Sequence, residues 1–302
     1  MSKVIIAIHG LGNKPPKEQL LQWGKMAIKE GMQLKGVAIK KTPKFELVYW
    51  ADLLYDRPQT IDETDKDSPY FLDEVYTSTP KRYKFESYEF RKYFLDFFKK
   101  LVYKIFLNKD YHLRYASISQ KLIHNYFHDL EVFFEENDDK SSITNNIKTR
   151  IIKRLNDVLE KYSNDEILLI AHSMGTIIAF HVLSSINPKI KIKTLVTIGA
   201  PLGAPFVISR IAKHLEKIYG VRTPQTPECI KDNWFNFSDI RDLIALDYKL
   251  SDDFDANSHG VKCIDKLVTN NYVMNGVANP HKSYGYLRTP EFIDVLIDFI
   301  NN

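Results

Sequence analysis

Apolar residues along this chain fall into short bursts separated by longer amphipathic stretches. Bursts at Val4–Ile8, Phe45–Trp50, Ile167–Ala171, Thr194–Ile198 and Trp234–Phe237 carry few polar interruptions. Such runs suit strands buried on both faces. Helical periodicity separates several of them, over Asn145–Tyr162, Thr176–Ser185 and Ile208–Tyr219. Lys266–Thr269 is one further strand candidate, and Glu291–Ile300, opened by Thr289-Pro290, predicts a closing helix. Buried strands alternating with helices predict an α/β fold, with a mostly parallel central sheet and helices on both faces.

The pattern changes between about Leu54 and Lys140. Residues 70–134 hold 19 of the 35 Phe and Tyr residues. Phe90, Phe94, Phe97, Leu101 and Ile105 follow helical spacing, with Arg91, Lys92, Lys99, Lys100 and Lys104 between them. Residues 80–124 carry 11 Lys and Arg against 4 Asp and Glu, a local excess of +7. We expect one domain over 1–302, with 54–140 inserted as a helical cap that ends near the polar loop Asn137–Ser142.

Composition narrows the function classes. At 302 residues, with 44% hydrophobic and 26% charged residues, the chain has the balance of a globular enzyme or binding domain. A net charge of +4 is too small to argue for nucleic acid as a partner. No Gly-x-Gly-x-x-Gly, phosphate-binding loop or zinc-spaced Cys/His cluster is present, so neither cofactor nor metal is expected. The two cysteines, Cys229 and Cys263, cannot build a disulfide framework. A core strand beginning near Lys3 leaves no room for a cleaved signal peptide, and no apolar run reaches the roughly 18 residues of a membrane span. Cytoplasmic localisation is the expectation.

Candidate chemistry centres on Ala171-His172-Ser173-Met174-Gly175, between the burst at 166–170 and the helical run from Thr176. A serine at a sharp strand-to-helix turn is an exposed, strained nucleophile, and the residues two before and two after it must be small. Its hydroxyl needs a base, and the base needs an orienting carboxylate. Four histidines follow it. His181 and His214 fall in helical runs and read as packed or solvated. His281, in Asn279-Pro280-His281-Lys282, is the preferred base, with His259 in Asn257-Ser258-His259-Gly260 as the reserve. Asp242 is the preferred acid, because Leu243-Ile244-Ala245 would bury the loop beyond it. Asp239 reads as a turn cap and Asp247 as solvated. Ile8-His9-Gly10-Leu11-Gly12-Asn13 supplies a glycine-rich loop, so the backbone N–H groups of Leu11 and Met174 are the candidate oxyanion donors. His9 reads as a brace for that loop.

Together these segments resemble the α/β-hydrolase superfamily, in its lipase/esterase-like branch. Tyr49-Trp50-Ala51-Asp52, Thr197–Gly203 and His281-Lys282-Ser283-Tyr284 further resemble bacterial hydrolases that open with a His-Gly-Ile/Leu-Gly-Asn loop. Ala171 departs from the first glycine of the usual Gly-x-Ser-x-Gly motif, as in some lipases. The resemblance implies a serine carboxylester hydrolase acting on a small-molecule or lipid ester without a cofactor. The alternative is a non-catalytic module on the same fold that binds a membrane or a partner through its aromatic, basic cap. Peripheral membrane contact through the cap is one reading of its aromatic, basic character; the other is plain packing, with aromatics facing the core and lysines facing water.

Overall fold

Six strands form one parallel sheet in the computed structural model, which describes residues 2–37, 43–79, 133, 147–185, 190–220, 223–245 and 247–302. In chain order they are β1 (Lys3–Ile8), β2 (Lys44–Val48), β3 (Glu166–His172), β4 (Ile192–Ile198), β5 (Ile230–Ser238) and β6 (Cys263–Leu267). Side by side they run β2-β1-β3-β4-β5-β6, every neighbouring pair parallel.

The uninterrupted apolar bursts follow from burial on both faces. Val4, Ile6 and Ile8, with Ile167, Leu169 and Ala171, pack against α2 (Ile147–Lys161), α3 (Met174–Ser185) and α4 (Pro205–Tyr219). Ile5, Leu168 and Ile170 alternate with them and pack on the opposite face. There they meet α1 (Lys17–Leu34), α6 (Ser283–Leu287) and α7 (Pro290–Asn301). A single turn, α5 (Leu250–Asp253), lies between β5 and β6. Helix α3 is buried almost all round, which is why its sequence is apolar on every face. Thr289 caps α7 as expected, its hydroxyl accepting from Phe292 N.

Two sequence expectations shift. The burst Phe45–Trp50 is a strand only to Val48, because Trp50 leaves the sheet and packs beneath the loop after β1. The strand expected at Lys266–Thr269 runs from Cys263 to Leu267. As an edge strand it buries Cys263 and exposes Ile264, so its apolar signal was diluted.

Of the inserted region, residues 54–79 are irregular, with turns and one isolated bridge between Thr60 and Phe71. The expected Phe90–Ile105 face, its interleaved basic residues and the Asn137–Ser142 loop lie outside the described residues. Among the described residues, no helix is long and apolar enough to cross a membrane.

Strand order positions the site. The chain leaves β1 for β2 on one side and places β3 on the other, so the order reverses between β1 and β3. The loops leaving the carboxyl ends of these two strands diverge there and open a crevice. Ser173 follows β3, and His9–Asn13 follow β1.

Candidate active site

Ser173 is the single residue between β3 and α3, with φ at 53°. That left-handed conformation costs an L-residue about 1–2 kcal/mol, and the close packing around the turn holds it. A Cβ on Gly175 would come within 2.7 Å of the His9 carbonyl oxygen and 2.8 Å of that of Ile8. One on Gly10 would come within 2.7 Å of Ser173 Cβ. The loop after β1 therefore lies directly against the serine, and Ala171 on the other side is fully buried.

Two distant loops meet Ser173. His281 Nε2 lies 2.9 Å from Ser173 Oγ. Both oxygens of Asp242 lie 2.9 Å from His281 Nδ1. The carboxylate can only accept there, so Nδ1 carries the ring proton and Nε2 is left to accept from the serine hydroxyl. Asp242 is 1% exposed yet well supplied with donors. Ile244 N and Ala245 N approach Oδ1 at 3.0 and 3.4 Å, and Tyr286 Oη donates to Oδ2 at 2.7 Å. Burial, then the charges of Asp242 and Asp239, push the Tyr286 phenol well above its ordinary value, so it remains a donor.

The other candidates lie elsewhere or have other work. Asp239 accepts from Arg241 N at 2.8 Å, binds the Arg241 guanidinium at 2.7 Å, and accepts from Asn270 N at 2.6 Å. It caps the turn and fastens the neighbouring loop. Asp247 Oδ1 accepts from Lys249 N at 3.2 Å. His259 precedes β6, at the amino end of a parallel strand, opposite the edge that bears Ser173, and it meets Lys231 and Glu228. His181 and His214 stack at 3.9 Å between α3 and α4. Burial, followed by the neighbouring charge of His214, lowers His181 to about 3.

The loop after β1 is braced by His9. Trp50 N donates to His9 Nε2 at 2.9 Å, so Nδ1 holds the proton and donates to Gly10 O at 2.7 Å. Trp50 also stacks on the ring at 4.9 Å and donates its indole N–H to His9 O at 3.0 Å. Burial, then Lys14, lower His9 to about 3, which keeps it neutral. Lys14 Nζ gathers the carbonyls of Leu11, Gly12 and Asn13. Met174 opens α3, where first-turn amides have no intrahelical carbonyl to reach.

Three supports escaped the sequence reading. His172 Nε2 donates to His281 O at 2.8 Å, and burial, then the His281 charge, hold it well below its ordinary value. Tyr286 is the second. The third is Gly199, at φ 55°, where a Cβ would stand 2.9 Å from Asp242 Oδ2 and 3.1 Å from His281 Nδ1. Its signal was present in Ile198-Gly199-Ala200-Pro201, a glycine directly after a buried strand.

Residues 76–228, just over half of the chain, match the family model for the alpha/beta hydrolase fold. The chain belongs to that family. No curated protein matches it. The stretch shared with the family contains the β3–Ser173–α3 turn and Gly199 and ends before Asp242 and His281, so the grouping of those two with Ser173 rests on the geometry of this α/β-hydrolase itself.

Proposed function

We propose that this α/β-hydrolase is a serine carboxylester hydrolase of the lipase/esterase-like branch, using Ser173, His281 and Asp242 through an acyl-enzyme. The observation that carries the reading is the unbroken line Asp242–His281–Ser173, at 2.9 Å in each step, ending on a serine held at φ 53°.

The chemistry then runs as follows. Ser173 Oγ attacks the ester carbonyl carbon while its proton passes to His281 Nε2. The carbonyl π electrons move to oxygen, and the N–H groups of Leu11 and Met174 receive the oxyanion. Asp242 keeps Nδ1–H in place and stabilises the imidazolium. Collapse breaks the bond to the alcohol, which leaves with the proton from Nε2. Water then attacks the acyl-Ser173 carbon, giving its proton to Nε2. The carboxylic acid departs and Ser173 recovers its hydrogen.

Turnover of p-nitrophenyl esters of graded acyl length tests this. Ser173→Ala should lower kcat by about 10⁴–10⁶ with the fold intact by circular dichroism. Undiminished turnover in that variant would refute the assignment. Repeating the assay with anionic vesicles tests whether lipid esters are substrates and whether the basic stretch 80–124 brings the protein to a membrane.

A further inference from the structure

The loop bearing His281 is fastened from outside the sheet. Glu74, in the irregular first part of the inserted region, meets Lys282 Nζ at 2.5 Å and accepts from Asn279 Nδ2. Asn279 Oδ1 in turn accepts the His281 N–H at 3.0 Å, and Lys282 O accepts from Asn270 Nδ2 at 2.8 Å. One carboxylate therefore holds the chain on both sides of His281. Its own segment is pinned by Tyr272 Oη to Val75 O at 2.5 Å, Thr77 Oγ1 to Val273 O at 2.8 Å, and Arg288 to Thr77 O at 2.6 Å.

Only 20% of the Lys282 side chain and 23% of that of Glu74 remain exposed, so solvent screens this pair poorly. Burial opposes both charges, and each overcomes it for the other: Lys282 is raised and Glu74 lowered from their ordinary values. The charged and titratable surroundings of His281 come from every side. Asp242 and, through it, Tyr286 lie at Nδ1, and neutral His172 packs on the ring at 4.9 Å. Lys282 follows it in the chain and Glu74 interacts with both, with Asp73 and Tyr284 acting on Lys282. Lys14, in the loop after β1, acts on His172.

We propose that the Glu74–Lys282 pair, joining the inserted region to the His281 loop, positions His281, and that its two opposite charges offset each other at the imidazole so that neither acts on it alone. This rests on the reading of His281 as the general base. Signs distinguish it from a purely structural clamp. Glu74→Gln leaves the Lys282 cation beside His281, which disfavours imidazolium and moves the acid limb of kcat/KM to lower pH. Lys282→Met leaves the Glu74 anion, which favours imidazolium and moves the limb to higher pH. A clamp that only fixed the loop would lower the plateau in both variants without opposite displacements.

The test is the pH profile of kcat/KM on a soluble short-chain p-nitrophenyl ester, with melting curves, for the full chain and its variants. Opposite displacements of about half a pH unit or more are expected for the two neutral variants. Glu74→Asp and Lys282→Arg should leave the limb in place. The double variant Glu74→Gln with Lys282→Met buries no lone charge. It should keep the wild-type limb while kcat falls about tenfold with KM little changed. Should the single variants fail to fold, an undiminished kcat in the double variant would overturn the proposal. So would single-variant limbs that stay put or move in the same direction while wild-type Ser173 still reacts with a fluorophosphonate. If wild-type Ser173 does not react with that reagent, the reading of the site itself fails, and this inference fails with it.

Discussion

Gly199→Ala is the most informative single substitution, because a methyl group there strikes Asp242 and His281 at once. The backbone penalty for an L-residue at φ 55° is about 1–2 kcal/mol. The new Cβ would stand 2.9 Å from Asp242 Oδ2 and 3.1 Å from His281 Nδ1, about half an ångström inside ordinary contact. Asp242 cannot easily retreat, since Tyr286 and two backbone amides already hold its carboxylate. His281 is the more movable partner, and displacing it stretches the 2.9 Å contact to Ser173. Overpacking of this kind costs about 1–3 kcal/mol, so stability should fall by about 2–5 kcal/mol altogether. On the proposed mechanism, displacing His281 by a fraction of an ångström should lower kcat by about 10–100-fold, with KM little changed. The assays are ester hydrolysis and urea denaturation. Gly220→Ala is the control: φ is 70°, nothing lies within 4 Å, and the residue closes α4 away from the site. It should lose about 1 kcal/mol and no activity. A Gly199→Ala protein with wild-type kcat would refute the tight packing of Asp242 and His281 over this glycine.

Two further outcomes follow from the buried polar groups. Tyr286→Phe removes a donor to Asp242 and the acceptor of Asp239 N, so urea melts should show a loss of about 2–4 kcal/mol and kcat should fall; unchanged stability would mean those bonds contribute nothing. Burial holds His9 and His181 near 3 and His172 well below its ordinary value. The unfolded chain therefore binds protons below about pH 6.5 that the folded one refuses. Stability should be complete above that pH and fall towards pH 3, by about 1.4 kcal/mol per pH unit for each of the three. Urea midpoints measured near neutrality and near pH 5 check this, and His181→Gln should flatten the decline by about one proton. A midpoint independent of pH would contradict it.

The fold was legible because both faces of the sheet are covered, which turns β1 and β3 into unbroken apolar runs. The turn at Ser173 was legible because steric crowding between strand and helix demands Gly175 in the sequence itself. The meeting of Asp242 and His281 with Ser173 was legible through chain order and loop context, and here the alternatives separate for physical reasons. Asp239 is engaged by Arg241 and Asn270, while His259 stands at the wrong end of a parallel strand. What stayed hidden depends on three-dimensional closure. Nothing local marks Tyr286 as a partner of Asp242, or Glu74 as a partner of Lys282, because each pair joins segments far apart in the chain. Helix α1 also went unread, since its buried positions are largely small, Gly24, Ala27 and Gly31 among them, and leave a weak apolar stripe. Gly31 fits there because Arg288 backbone atoms would lie within 2.9 Å of any Cβ.

The central claim is that Ser173 is a nucleophile activated by His281. Reaction of the folded protein with a fluorophosphonate probe, followed by peptide mapping, tests it most directly. The expected result is one adduct per chain, on Ser173, absent from Ser173→Ala and strongly slowed in His281→Ala. An adduct on another residue, or an unmodified Ser173 in correctly folded protein, would contradict the account.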